Sequence, residues 1–142
     1  MNENIEIFSV KNKEYYFSET LGVKIEVVPK FAEEKSNPSK NQYFFEYNIL
    51  ITNETSKTIQ LKHRYWKIKE DGKKLYEVDG MGVVGLLPIL NPGEFFQYKS
   101  FVPLSAPFGS MRGKYLFVDE DFNEFYVDVP VFFFRLPDSF IN

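Results

Sequence analysis

The chain has 142 residues and no cysteine, and 17 lysines and arginines stand against 20 aspartates and glutamates for a formal net charge of −3. Disulfide frameworks and zinc-thiolate sites are excluded, and the acidic balance argues against a broad nucleic-acid footprint or a polybasic membrane contact. The length fits one domain with a sizeable core, and an 18% aromatic share, with 16 Phe and 9 Tyr, favours strands.

Residues 1–20 read as an N-terminal extension in which Ile5 and Ile7 alternate with Asn4 and Glu6, the pattern of a short strand. No basic flank precedes an apolar core there, so no secretory signal is expected. No apolar run approaches the roughly 18 residues of a membrane span, and the cytosol is the expected compartment. Residues 21–137 carry the pattern of one β domain, and 138–142 read as a C-terminal tail. Val23, Ile25 and Val27 alternate with Lys24 and Glu26, a half-buried strand. Phe31–Asn41 is a loop by composition. Tyr43–Thr52 is the clearest strand, with Tyr43, Phe45, Tyr47, Ile49 and Ile51 on one face.

Thr58–Lys69 returns as the next strand, but its apolar phase slips from odd (Ile59, Leu61) to even (Trp66, Ile68). A β-bulge produces such a slip; it is expected near His63–Tyr65, with Trp66 anchoring the core. Asp71-Gly72 signals a hairpin into Lys74–Val78. A glycine loop follows, then strands at Glu94–Phe101, Met111–Val118 and Phe125–Phe134. In the last of these, Phe125, Val127, Val129, Val131 and Phe133 are expected to share one face. Seven to eight short strands without sustained helical periodicity predict an all-β, two-sheet sandwich.

Gly80-Met81-Gly82-Val83-Val84-Gly85 has the spacing of a dinucleotide fingerprint, but the context of one is missing. Pro88 and Pro92 stop any helix, and the segment about 20 residues on, Phe101–Ala106, offers no acidic residue for a ribose. The glycines then serve a turn between strands, or their N–H groups form an anion nest without a helix. The nest reading makes Gly80, Gly82 and Gly85 a candidate anion site, with Arg64 and Arg112 as the guanidinium partners. Other chemistry finds little footing. His63 is the single histidine and has no nucleophile elbow to serve. Asp119-Glu120-Asp121-Phe122-Asn123 opens like a calcium loop, yet Glu124 and Pro130 occupy the positions that need Gly and Glu. No metal site and no cofactor are assigned. Several of Phe44, Phe95, Phe101, Phe108, Phe132 and Phe134 must lie outside the core, which points to a partner surface.

The run from Val78 to Tyr115 resembles the ApaG family, carried by Gly80, Gly82, Val83, Val84, Gly85, Pro88, Leu90, Pro92, Gly93, Glu94, Phe96, Tyr98 and Ser100. Pro103, Leu104, Pro107, Gly109, Met111, Gly113 and Tyr115 continue it, and the similarity extends from about Val23 to Pro130. At Arg64-Tyr65-Trp66 the family tends to read Arg-His-Trp, so Tyr65 replaces the family histidine and His63 is not its equivalent. The resemblance implies a sandwich of fibronectin type III or immunoglobulin-like type. It also implies a non-enzymatic binding or adaptor domain and a link to cobalt and magnesium tolerance. A protein partner is then expected, with self-association as a homodimer as one form of it, and no nucleic acid or membrane. The alternative is a small-molecule binder holding pyrophosphate or a nucleotide at 80–85. An adaptor would have the loop N–H groups bonded internally and an apolar patch exposed; a ligand site would have them converging on a cavity.

Overall fold

Alternation of apolar and polar residues builds the first sheet. In the computed structural model, which describes Phe8 and residues 14–140, β1 (Tyr16–Thr20), β2 (Val23–Phe31), β3 (Tyr43–Asn53) and β7 (Phe95–Leu104) form a four-stranded sheet in the order β1-β2-β3-β7. The second sheet has the order β5-β4-β8-β9, from β4 (Ile59–Glu70), β5 (Lys74–Met81), β8 (Phe108–Asp119) and β9 (Glu124–Arg135). Two-residue β6 (Ile89–Leu90) adds to the start of β4. All pairings are antiparallel. The two-sheet sandwich expected from the sequence is what the chain forms, with nine strands among the described residues where seven to eight were expected. The strand suggested by Ile5 and Ile7 lies outside the described residues. Within the segment read as an extension, Tyr16–Thr20 is an edge strand of the first sheet, turned into β2 by Leu21 and Gly22, both at positive φ.

Inward residues of both sheets meet in one core. Val23, Ile25, Phe45, Ile49 and Ile51 come from one side and Leu61, Trp66, Tyr115, Phe117 and Val127 from the other, all buried. Phe31–Asn41 contains two 3-10 turns, Glu33–Lys35 and Pro38–Lys40. In the segment read as a tail, a 3-10 turn at Asp138–Phe140 sets Phe140 edge-on to Phe31, with ring centroids 5.3 Å apart.

Two irregularities set which residues face in. The β4 bulge falls between Leu61 and His63, making Lys62 the extra residue, slightly ahead of the expected position. A second was not anticipated. On β9, Pro130 and Val131 together oppose Arg112, because Met111 pairs with Phe132 and Gly113 with Val129. Pro130 has no N–H to give to a ladder, and a bulge accommodates that. The expected face of the last strand is therefore corrected: Phe125, Val127 and Val129 point inward, but Phe132 and Phe134 replace Val131 and Phe133 in the core.

One buried polar residue fastens each end of the sandwich. Asn53 donates its amide to the carbonyls of Lys57 and Leu90 and accepts from Thr55, joining the β3–β4 turn to β6. At the other end Glu70 accepts from the Ser105 N–H and hydroxyl and from the Tyr76 hydroxyl. The phase switch in β9 is testable. Phe132→Ala should cost about 3–5 kcal/mol in denaturant unfolding, whereas Phe133→Ala should stay within about 1 kcal/mol. Equal costs would contradict the bulged register.

Candidate functional site

With Lys62 as the extra residue, Arg64 takes the inward phase beside Trp66 and pairs with buried Tyr115. β9 packs across β1 and β2, so among the described residues β5 and β7 are the edge strands on the opposite side, and half-buried Arg64 lies between them. One terminal amino group of its guanidinium donates to both the Met81 and Gly82 carbonyls, each at 2.9 Å. Gly80 makes this approach feasible, because a Cβ there would stand 3.0–3.1 Å from three guanidinium atoms. No carboxylate among the described residues pairs with Arg64.

Behind the arginine lies a buried group of tyrosines. The hydroxyls of Tyr98 and Tyr115 share a hydrogen bond of 2.6 Å. Burial pushes both pKa values above the ordinary 10.0, with the nearby Arg64 charge acting in the opposite direction. Tyr47, opposite Ser100 in the β3–β7 register, is raised by burial and lowered by the Ser100 hydroxyl and by Arg64. The sequence placed Tyr47 on the shared face of its strand but gave none of these tyrosines a site role; the usable signal was an inward position in alternating strands, where a buried phenol needs a partner.

The glycine run forms a tight reverse turn. Val83 and Leu86 exchange backbone hydrogen bonds of 2.9 and 2.8 Å around Val84 and Gly85, which sit at φ 43° and 77°. Positive φ at both central residues is the primed turn of two-residue hairpins. The Gly82 N–H is used on the Lys62 carbonyl. Toward Arg64 the loop therefore presents carbonyls, and three of its N–H groups are bonded internally. Arg64 and Arg112 do not converge. Arg112 pairs with exposed Lys67 on the outer face of the same sheet, so β4 and β8 separate the two guanidiniums.

His63 stacks on Tyr65 with centroids 5.4 Å apart, and its Nε2 lies 3.8 Å from Asp79 Oδ1. In the β8–β9 turn Asp119 accepts the Asp121 and Asn123 N–H groups, which lowers its pKa, while Lys57 Nζ lies 2.6 Å from Asp121. Among the described residues, no three His, Cys, Asp or Glu side chains stand where they could hold a metal ion, and no helix is long and apolar enough to cross a membrane. Beside the glycine turn, Leu86, Leu87, Ile89, Phe95 and Phe96 line a groove of about 590 Å³. Exposure there is high for apolar residues: Ile89 61%, Leu86 52% and Phe95 52%.

An arginine-stapled glycine turn and an adjoining apolar groove on an antiparallel sandwich define a small β domain with its distinctive surface at one end. The chain belongs to the ApaG family. The family model described as the ApaG domain matches residues 33–119. The protein named ApaG from a Methylobacterium species is 42% identical over 122 residues, covering 86% of this chain and 94% of its own. The ApaG of Bradyrhizobium diazoefficiens is 43% identical over 124 residues, covering 87% and 95%. Among solved structures, the Bordetella pertussis protein named ApaA superposes with a TM-score of 0.79 at 39% identity, covering 89% of this chain and 98% of that one.

Two outcomes follow from the site. Gly85→Ala should cost about 1–2 kcal/mol for its left-handed backbone alone. Gly82→Ala should cost more, because its Cβ would also lie 2.0 Å from the Leu86 carbonyl oxygen; denaturant unfolding of both variants ranks them. Second, raised folded-state pKa values at Tyr98 and Tyr115 contribute stability that is complete below the ordinary 10.0 and lost as pH rises above it. A tyrosinate absorbance titration should therefore find fewer than nine tyrosines ionising before the chain unfolds, and ionisation of all nine in the folded state would contradict the buried pair.

Proposed function

We propose that this protein is a non-enzymatic binding domain that docks a protein partner through the apolar end formed by the glycine turn, β6 and the start of β7. The observation that carries the reading is the exposed cluster of Leu86, Ile89 and Phe95 lining the 590 Å³ groove. Apolar side chains gathered on one patch mark interaction surfaces far better than scattered ones do. The internal bonding of the Gly82, Val83 and Leu86 N–H groups supports the same reading, since these donors are engaged by the protein itself. Asn53 adds rigidity: its amide ties Leu90, and its backbone meets Gly93 and Glu94, so the groove floor is held in shape before any partner arrives. A contribution to cobalt and magnesium tolerance, as the resemblance implies, would run through that partner.

A photo-crosslinking residue placed at Ile89, with Glu34 on a distant loop as control, tests the surface in cells. The expected result is a discrete adduct with another protein at position 89 and none at 34, lost when Leu86→Asp is added to a chain that still unfolds cooperatively. Adducts of equal strength at both positions, or none at 89, would overturn the proposal.

A further inference from the structure

The apolar end of the sandwich carries a charge, and its sign decides what can dock there. Strand pairing brings four turns to that end: β1–β2 at Leu21-Gly22, β3–β4 after Asn53, β6–β7 at Pro92-Gly93 and β8–β9 after Asp119. Residues 54–58, 91–94 and 119–124 hold Glu54, Glu94, Asp119, Glu120, Asp121 and Glu124, with Lys57 as their single cation. At the opposite end, residues 32–42 and 71–73 set Glu33, Glu34 and Asp71 against Lys35, Lys40 and Lys73, an even balance. The acidity is thus concentrated where the groove is.

Lys57 is already engaged, with Asp121 at 2.6 Å and Asp119 at 4.0 Å. Among the described residues, no lysine or arginine lies within 4.0 Å of Glu54, Glu94, Glu120 or Glu124. Two of these carboxylates are instead fixed by neutral donors. Glu94, which lines the groove, accepts the Asn91 N–H at 2.7 Å, and Glu120 accepts the Thr58 N–H at 2.9 Å. Such bonds orient a carboxylate and favour its charged form. The turns are also tied to one another. The Thr58 hydroxyl donates to Asn91 Oδ1 at 2.8 Å, and the Asn53 backbone bonds Gly93 and Glu94, which brings Glu54 beside the β6–β7 turn. Apolar exposure gathers at this end as well. Among the described residues the two most exposed large apolar side chains, Phe122 at 88% and Leu21 at 70%, stand in these turns.

This sign of charge disfavours several occupants. A phosphate backbone or an anionic bilayer would be repelled. A second copy seated end to end would set the same carboxylates against one another. An apolar segment that carries its own cations complements both the groove and its rim. We propose, resting on the docking reading above, that the partner presents a basic amphipathic segment. Its apolar side chains seat in the groove, and its lysines or arginines lie along Glu54, Glu94 and Glu120.

The test adds mass-spectrometric mapping of the attached partner peptide to crosslinking at Ile89 in cells. The expected peptide comes from another protein, and lysines and arginines outnumber acidic residues around its attachment point. Combining Glu54→Gln, Glu94→Gln and Glu120→Gln should lower the adduct yield about tenfold. Each glutamine removes a charge but keeps an acceptor oxygen for its turn. Glu33→Gln with Glu34→Gln, at the opposite end, should leave the yield unchanged. Cooperative unfolding shows that the threefold variant is folded, and the peptide mapping does not depend on it. The proposal is overturned if the attached segment is acidic or uncharged, if it comes from a second copy of this chain, or if the threefold variant keeps the full yield. Each of those results leaves the docking surface standing, whereas the absence of any adduct at position 89 removes both readings.

Discussion

A single extra residue in β4, Lys62, governs which side of the sheet each later residue of that strand faces. In an uninterrupted strand the alternation set by Ile59 and Leu61 would carry His63, Tyr65 and Lys67 inward and leave Arg64, Trp66 and Ile68 outside. The bulge reverses both sets. Trp66 becomes the core anchor, edge-on to Tyr115 and Tyr47, and Arg64 reaches the glycine turn. The same reversal puts Tyr65 and Lys67 on the outer face. The stapled turn and the placing of Arg64 and Arg112 on opposite faces are thus two results of one irregularity, and neither would arise in a regular strand.

Around that strand, rigidity comes from buried polar residues whose hydrogen bonds are made. A buried amide or carboxylate left unpaired would cost more than the packing around it could recover. Asn53 and Glu70 avoid that by gathering bonds from separate segments, and in doing so each closes one end of the sandwich. Tyr98 and Tyr115 do the same between the sheets with one shared hydrogen bond. The apolar end is therefore mounted on a frame whose interior has few alternative arrangements.

Much of this frame was legible in the sequence because period-two alternation is a strong signal where one face is buried. Val23–Val27 and Tyr43–Ile51 read directly as half-buried strands, and the phase slip from Leu61 to Trp66 announced the first bulge. The second was harder. Apolar residues occupy both phases from Val129 to Phe134, so periodicity could not say which phase was inside, and Pro130 was the only local cue. The glycine spacing gave a turn but not the direction of its dipoles. Whether N–H or carbonyl groups face a guanidinium depends on backbone angles such as φ 43° at Val84, a value that no residue type dictates. The separation of Arg64 from Arg112 rested on the exact register between β4 and β8, and the gathering of Glu54, Glu94 and Glu120 at one end follows from strand pairings that join three separate turns. Such long-range pairing is invisible to a reading that moves along one strand at a time.

Asn53 begins an Asn-Glu-Thr triplet, the acceptor pattern for an N-linked oligosaccharide. In the folded chain its side chain is fully buried and its amide nitrogen is committed to Lys57 and Leu90. A sugar on that nitrogen would have to be attached before the turn closed. It would then replace the tie that joins β6 to the β3–β4 turn, leaving the wall of the apolar groove without that internal fastening. Production of this domain through a secretory host would thus alter its surface from the inside, at a residue no solvent reaches.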